Sequence, residues 1–191
     1  MIPAFNESGV LPPFQGDSPA EAAQTAPYRT SIVEVAGRFA HTPERRSILH
    51  GLLDYRKDLV AAGIEDGFQW LDGSYLEDCE TYRGRPPSDV DIVTFAERPL
   101  GLASPASWQQ FVNANASIFS TESVKSQYQC DAYYVDLALP SQALVSRTRY
   151  WFGLFSHRRD TYLWKGLVEI PLEDDDQAAL QILNGGGDDC P

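Results

Sequence analysis

Cysteine is scarce in this 191-residue chain, with Cys79, Cys130 and Cys190 the only three. They are odd in number, far apart and form no CxxC pair. That excludes a disulfide framework and a structural zinc site, and it suits a reducing, cytoplasmic setting. Histidine is equally sparse: His41, His50 and His157 show no metal-ligand spacing. Basic residues are in deficit, 15 Lys and Arg against 27 Asp and Glu, for a formal net charge of −12. Such a surface repels a polyanion, so broad binding to duplex nucleic acid is excluded. Apolar runs never reach the roughly 18 residues of a membrane span, and no basic stretch followed by an apolar one opens the chain. Neither a membrane helix nor a signal peptide is expected.

What the chain has is enough apolar material for a core, 43% hydrophobic and 12% aromatic, over a length that suits one domain. Prolines 3, 12, 13, 19 and 27 exclude a long helix near the start. Ile2, Phe5, Val10, Leu11 and Phe14 make residues 1–27 an extended arm that packs on the domain. Residues 28–184 form the domain, and 185–191 (GGGDDCP) read as a flexible acidic tail. Within the domain a short helix is expected over 29–39. A long one follows over 43–62, with Thr42 as N-cap, Pro43 at the first position, an apolar stripe and Gly63 at its end. Residues 68–71 and 89–95 read as strands, and 105–119 as a helix behind Ser104-Pro105. A polar turn then leads to a strand over 128–139. A helix opens at Pro140, a final strand spans 162–171 with Lys165 and Gly166 inside it, and a short helix ends at Asn184.

The most informative stretch is 68–94, FQWLDGSYLEDCETYRGRPPSDVDIVT. Its first strand ends in Gly73-Ser74, where a residue without a side chain lets backbone N–H groups approach a phosphate. A helix starting at Tyr75 would add its N-terminus to that cradle. Asp89 and Asp91 stand at i and i+2, so on a strand both carboxylates leave the same face. Paired carboxylates repel unless a cation sits between them, and Mg²⁺ takes such hard oxygen ligands together with substrate phosphates. Asp131 and Asp136, on the later strand, are both candidates for a third carboxylate. Arg85 in the intervening loop and Lys165 beside Gly166 are candidate phosphate contacts, with Arg83, Arg158 and Arg159 as alternatives.

The order of helix, strand with Gly73-Ser74, strand with Asp89-Val90-Asp91, helix and strand with a further Asp resembles the DNA polymerase beta-like nucleotidyltransferase superfamily. A closer resemblance is to an uncharacterised bacterial family of nucleotidyltransferase-like proteins. It rests on Met1-Ile2-Pro3, Phe5-Asn6, Gly9-Val10-Leu11-Pro12-Pro13, Arg38-Phe39, Pro43-Glu44-Arg45-Arg46, Leu71-Asp72-Gly73-Ser74, and the late Phe155, Arg159-Asp160 and Lys165-Gly166-Leu167-Val168. Phe14 departs from it, where that family usually has glycine, as does a longer polar insert between Ser74 and Asp89. The resemblance implies an α+β fold, the minimal nucleotidyltransferase core, with a mixed sheet and helices mainly on one face. It implies Asp89, Asp91 and Asp131 as ligands of two Mg²⁺ ions, with Mn²⁺ an alternative. The implied reaction moves a nucleoside monophosphate from an NTP or dNTP to an acceptor hydroxyl, releasing pyrophosphate. The acceptor is left open among a protein side chain, a small molecule and a short oligonucleotide. Related roles include making a nucleotide signal in phage defence and antitoxin-type protein nucleotidylylation. A silent nucleotide- or partner-binding module is the alternative, and an operon-encoded partner or a homo-oligomer fits either.

Overall fold

The computed structural model describes residues 1–185. Five strands form one mixed sheet in the order β1-β5-β2-β3-β4. They are β1 (Tyr28–Arg29), β2 (Gly67–Asp72), β3 (Val90–Ala96), β4 (Cys130–Asp136) and β5 (Val168–Pro171). β2 runs antiparallel to both β3 and β5, whereas β3 and β4 are parallel. The helices are α1 (Ile32–Phe39), α2 (Pro43–Ala61), α3 (Cys79–Arg83), α4 (Pro105–Ala114), α5 (Ala116–Phe119), α6 (Thr121–Tyr128), α7 (Ser141–Phe155) and α8 (Asp176–Gly185). The architecture is α+β.

α2 forms where the sequence predicts it. The Thr42 hydroxyl accepts from the Arg45 N–H, Pro43 fills the first turn, and Ile48, Leu49, Leu52, Leu53 and Leu59 are buried along one stripe. Strand alternation then sorts the sheet. Gln69, Leu71, Ile92 and Thr94 face α2, whose Arg56 donates to Gln69 Oε1 at 2.8 Å. Trp70, Phe95 and Tyr133 face the other side, where α7 lays Phe152 against Trp70 and Trp151 against Tyr133. Arg56 is a buried cation with full compensation. It grips Asp176 of α8 through Nε and Nη2 and donates to the Pro171 and Leu172 carbonyls, tying α2, β5 and α8 together.

The structure corrects several expectations. Residues 120–127 are not a turn: α6 occupies them, capped by the Ser120 hydroxyl on the Ser123 N–H. The helix expected over 105–119 is broken at Asn115 into α4 and α5. No helix starts at Tyr75; a single 3-10 turn, Ser74–Leu76, precedes the five-residue α3, so no helix dipole of useful length points at the Gly73 turn. Lys165 and Gly166 lie before β5 and outside the sheet. Among the described residues Cys79 and Cys130 are buried free thiols. Cys190 and most of the expected acidic tail, residues 186–191, lie outside them.

The N-terminal arm packs on the domain and is part of its construction. Val10 and Leu11 are fully buried, and Val10 bridges to Glu77. The Asp78 N–H donates to the Gly9 carbonyl and the Gly166 N–H to the Leu11 carbonyl. The arm therefore clamps two segments that are far apart in sequence, one bearing Glu77 and the other Lys165. Gly9 has φ +70°, and a side chain there would run into the Tyr82 ring.

Candidate active site

β2 ends at Asp72 beside the start of β3, and the start of β3 lies beside the start of β4. Register pairs Asp72 with Asp91 and Asp91 with Asp131. Direct cross-strand partners share a face, so three carboxylates on three adjacent strands form one row. Asp89, two residues before Asp91, joins it from just outside β3. Asp136 pairs with Ala96 at the far end of β4 and is gripped by Arg98, 2.7 Å away. Its distance along the strand separates it from the row.

Gly73 makes the row possible. Its φ is +83°, and a Cβ at this position would overlap the Asp91 carboxylate. Gly73→Ala is expected to cost about 1–3 kcal/mol of stability and to push the Asp91 carboxylate out of its place in the row. Thermal unfolding checks the first effect, and cation binding by the purified variant checks the second.

A cavity of about 250 Å³ opens beside the row, lined among others by Asp72, Gly73, Ser74, Asp89 and Asp91. Arg83, Arg85, Arg158, Arg159 and Lys165 also line it. Five of the chain's 15 basic residues thus meet in one cavity of a protein with net charge −12. Three of them, Arg83, Arg158 and Lys165, gather around one residue that the sequence reading missed, Glu77. This carboxylate is 2% exposed. It accepts from Lys165 at 3.0 Å and from Arg158 at 2.9 Å, and Arg83 stands 2.9 Å away. Burial works to raise the Glu77 pKa, but Lys165 and Arg158 outweigh it and hold the group ionised. Arg159 reaches the Asp91 carboxylate at 3.5 Å. The predicted phosphate contact Lys165 is itself buried, with Nζ 2.9 Å from Asp72 Oδ1. Burial alone would lower its pKa, but Asp72 and Glu77 raise it, so the ammonium is retained.

Asp72 and Asp91 are the strained members of the row. Burial pushes the Asp72 carboxyl up to about 7, against the opposing pull of Lys165. Asp91 is raised by burial and then by the neighbouring Asp89 charge, with Arg159 opposing. Asp72 Oδ1, despite its ion pair, accepts no hydrogen bond of good geometry, the one such buried side-chain atom among the described residues. At the other end of the row Lys125 of α6, also missed in the sequence, sets its ammonium 2.8 Å from Asp89 and 3.5 Å from Asp131.

Among the described residues no three His, Cys, Asp or Glu side chains converge closely enough to hold a metal ion as they stand. Lys125 and Arg159 already sit on these carboxylates as cations. The donor set nonetheless suits a hard divalent cation: carboxylate oxygens from Asp89, Asp91 and Asp131 on one face, beside a buried oxygen without a hydrogen bond.

One buried cation organises the loop that carries Glu77. Arg45, in the first turn of α2, is fully buried. It donates to Glu80 through Nε at 2.6 Å and Nη2 at 2.8 Å, and to the Tyr75 and Glu77 carbonyls, each at 2.6 Å. The Arg45 hydrogen bonds hold the Glu80 carboxyl down at about 2. A depressed carboxylate stabilises the fold above its unfolded value near 4.5 and loses that contribution as pH falls towards the folded value. The stability advantage of the wild type over Glu80→Gln should therefore shrink steadily between about pH 5 and pH 2. Melting temperatures of both proteins across that range check it.

A family model described as a family of unknown function (DUF6932) matches residues 3–171. The chain belongs to this family. The DUF6932 match takes in the arm, the carboxylate row, the Glu77 cluster and β5, and stops before α8. None of the curated proteins and none of the solved structures matches the chain. Among the described residues no helix is long and apolar enough to cross a membrane.

Proposed function

We propose that this DUF6932 protein is a nucleotidyltransferase with the minimal core of the DNA polymerase beta-like superfamily. It transfers a nucleoside monophosphate from an NTP or dNTP to an acceptor hydroxyl. The observation that carries the reading is the in-register row Asp72, Asp91 and Asp131, with Asp89, set against a cavity that gathers five basic side chains. One wall suits cations and the other suits a polyanion, which is the division of labour a nucleoside triphosphate with its counter-ion requires.

Asp89, Asp91 and Asp131 would hold Mg²⁺, or Mn²⁺, and the bound metal would polarise the phosphate and align the acceptor hydroxyl. The chain's own residues do the rest. Gly73 and Ser74 offer backbone with no side chain in the way at Gly73. Arg85, Arg158 and Arg159 line the cavity as counter-charges for the departing pyrophosphate. Lys165, fixed by Asp72 and Glu77, acts as a fixed positive charge behind them. The acceptor is a hydroxyl on a small molecule, a protein side chain or a short oligonucleotide, because the acidic surface disfavours a large nucleic acid. Making a nucleotide signal in phage defence fits this chemistry, as does antitoxin-type protein nucleotidylylation. Function as a silent nucleotide-binding module is the second reading, favoured by the cations that sit on the carboxylates.

Equilibrium binding of labelled NTPs tests the proposal. Wild-type protein should bind a triphosphate more tightly with Mg²⁺ than with EDTA, and Asp131→Asn should lose that difference. Asp136→Asn should keep it. A metal-dependence that survives Asp131→Asn and vanishes in Asp136→Asn would overturn the site, and no nucleotide binding at all would overturn the function.

A further inference from the structure

We infer that Lys125 is a tethered competitor for the divalent cation, so that metal enters this site only by displacing a side chain of the protein. The inference rests on the proposed metal site and concerns how that site is regulated.

Lys125 sits in the last turn of α6, and its ammonium straddles Asp89 and Asp131 at 2.8 and 3.5 Å. These are two of the three proposed ligands, one just before β3 and the other on β4. The third, Asp91, faces Arg159 at 3.5 Å. Each of the three carboxylates therefore has a cation from the chain against it. The two cations are not built in alike. Lys125 touches two ligands and Arg159 one. The Lys125 side chain is 51% exposed and Arg159 71% exposed, so each can swing into solvent. Lys165, by contrast, is buried and fixed by Asp72 and Glu77. The C-terminal end of α6 packs tightly on α2, where Gly51 lies so close to the Tyr128 carbonyl that a Cβ there would overlap it. The ammonium thus sits at the end of a half-exposed side chain on a tightly packed helix.

The physical consequence is antagonism. Without metal, Lys125 relieves the repulsion between Asp89 and Asp131. With metal, the same carboxylates must give up the ammonium first, and that loss subtracts from metal affinity. Two partly exposed ion pairs set the size of the effect at roughly fivefold in affinity. Displaced, Lys125 becomes a free cation at the Asp131 end of the row, opposite the Arg158 and Lys165 end.

The test measures Mn²⁺ binding by electron paramagnetic resonance on the full chain without nucleotide. Three proteins are compared: wild type, Lys125→Met and Lys57→Met. Lys57 lies exposed on α2 and does not line the cavity, so its variant makes the same change in net charge away from the carboxylates. Lys125→Met is expected to bind Mn²⁺ about fivefold more tightly while its metal-free form melts at a lower temperature. Lys57→Met is expected to match wild type in affinity. Equal affinity of wild type and Lys125→Met would overturn the inference and leave the metal site standing. Equal tightening in both variants would reduce the effect to net charge and also overturn it. No Mn²⁺ binding by any of the three would overturn the metal site itself.

Discussion

Asp89→Asn combined with Asp91→Asn should abolish nucleotidyl transfer while leaving the fold intact or firmer. Removing two of three hard ligands takes away the charge that stabilises the transferring phosphoryl group, several kcal/mol, or roughly 10³-fold or more in rate. Stability should move the other way. Asp91 lies half-buried in the row, and its carboxyl is raised by burial and by the Asp89 charge. Amides of the same shape carry neither penalty, although the two changes give up the Asp91–Arg159 and Asp89–Lys125 ion pairs, each with a cation more than half exposed. Loss of turnover with an unchanged or higher melting temperature is the signature of a site that holds repulsion for function. Loss of both would mean that the aspartates are structural.

The second large effect belongs to Arg45. Arg45→Met keeps the helix and the volume but leaves the Glu80 carboxylate and the Tyr75 and Glu77 carbonyls without their donor. Breaking a buried pair from one side costs about 3–5 kcal/mol, which for a domain of this size lowers the melting temperature by roughly 10 °C. The loop from Gly73 to Glu80 hangs on those bonds, so Glu77 and the cations around it should loosen too. Arg45→Met should therefore bind nucleotide triphosphate more weakly even below its melting range. The double change Arg45→Met with Glu80→Met removes the unpaired charge and should recover part of the stability. Calorimetry and nucleotide titration of both variants check the two claims separately.

Local chemistry made part of this molecule readable. Thr42-Pro43 and the stripe from Ile48 to Leu59 specify α2 without outside help, because cap, first-turn proline and periodicity agree. The Gly73-Ser74 turn and the two carboxylates at i and i+2 announce themselves by spacing. α6 did not, since only Val124 and Tyr128 of its eight residues are buried and the remainder reads as a polar linker. Lys125 was lost with it. Glu77 is indistinguishable from Glu80 by sequence, three residues away in the same polar insert. One is buried among three cations and the other partners Arg45, and only the folded arm, α2 and the segment before β5 decide which. The proposed third ligand shows the same division. Periodicity separates Asp131 and Asp136 by face, but it takes the β3–β4 register to set Asp131 beside Asp91. The arm's Gly9-Val10-Leu11 stood out as a pattern, and its clamp on Asp78 and Gly166 gives that pattern a physical purpose.

Pyrophosphate release separates a nucleotidyltransferase from a silent nucleotide-binding module. Wild-type protein is incubated with each labelled NTP and dNTP in Mg²⁺ or Mn²⁺, beside the Asp89→Ala, Asp91→Ala double variant, and both pyrophosphate and labelled product are followed. Metal-dependent pyrophosphate and a labelled product are expected from the wild type and neither from the double variant. Turnover that persists in the double variant would contradict that expectation.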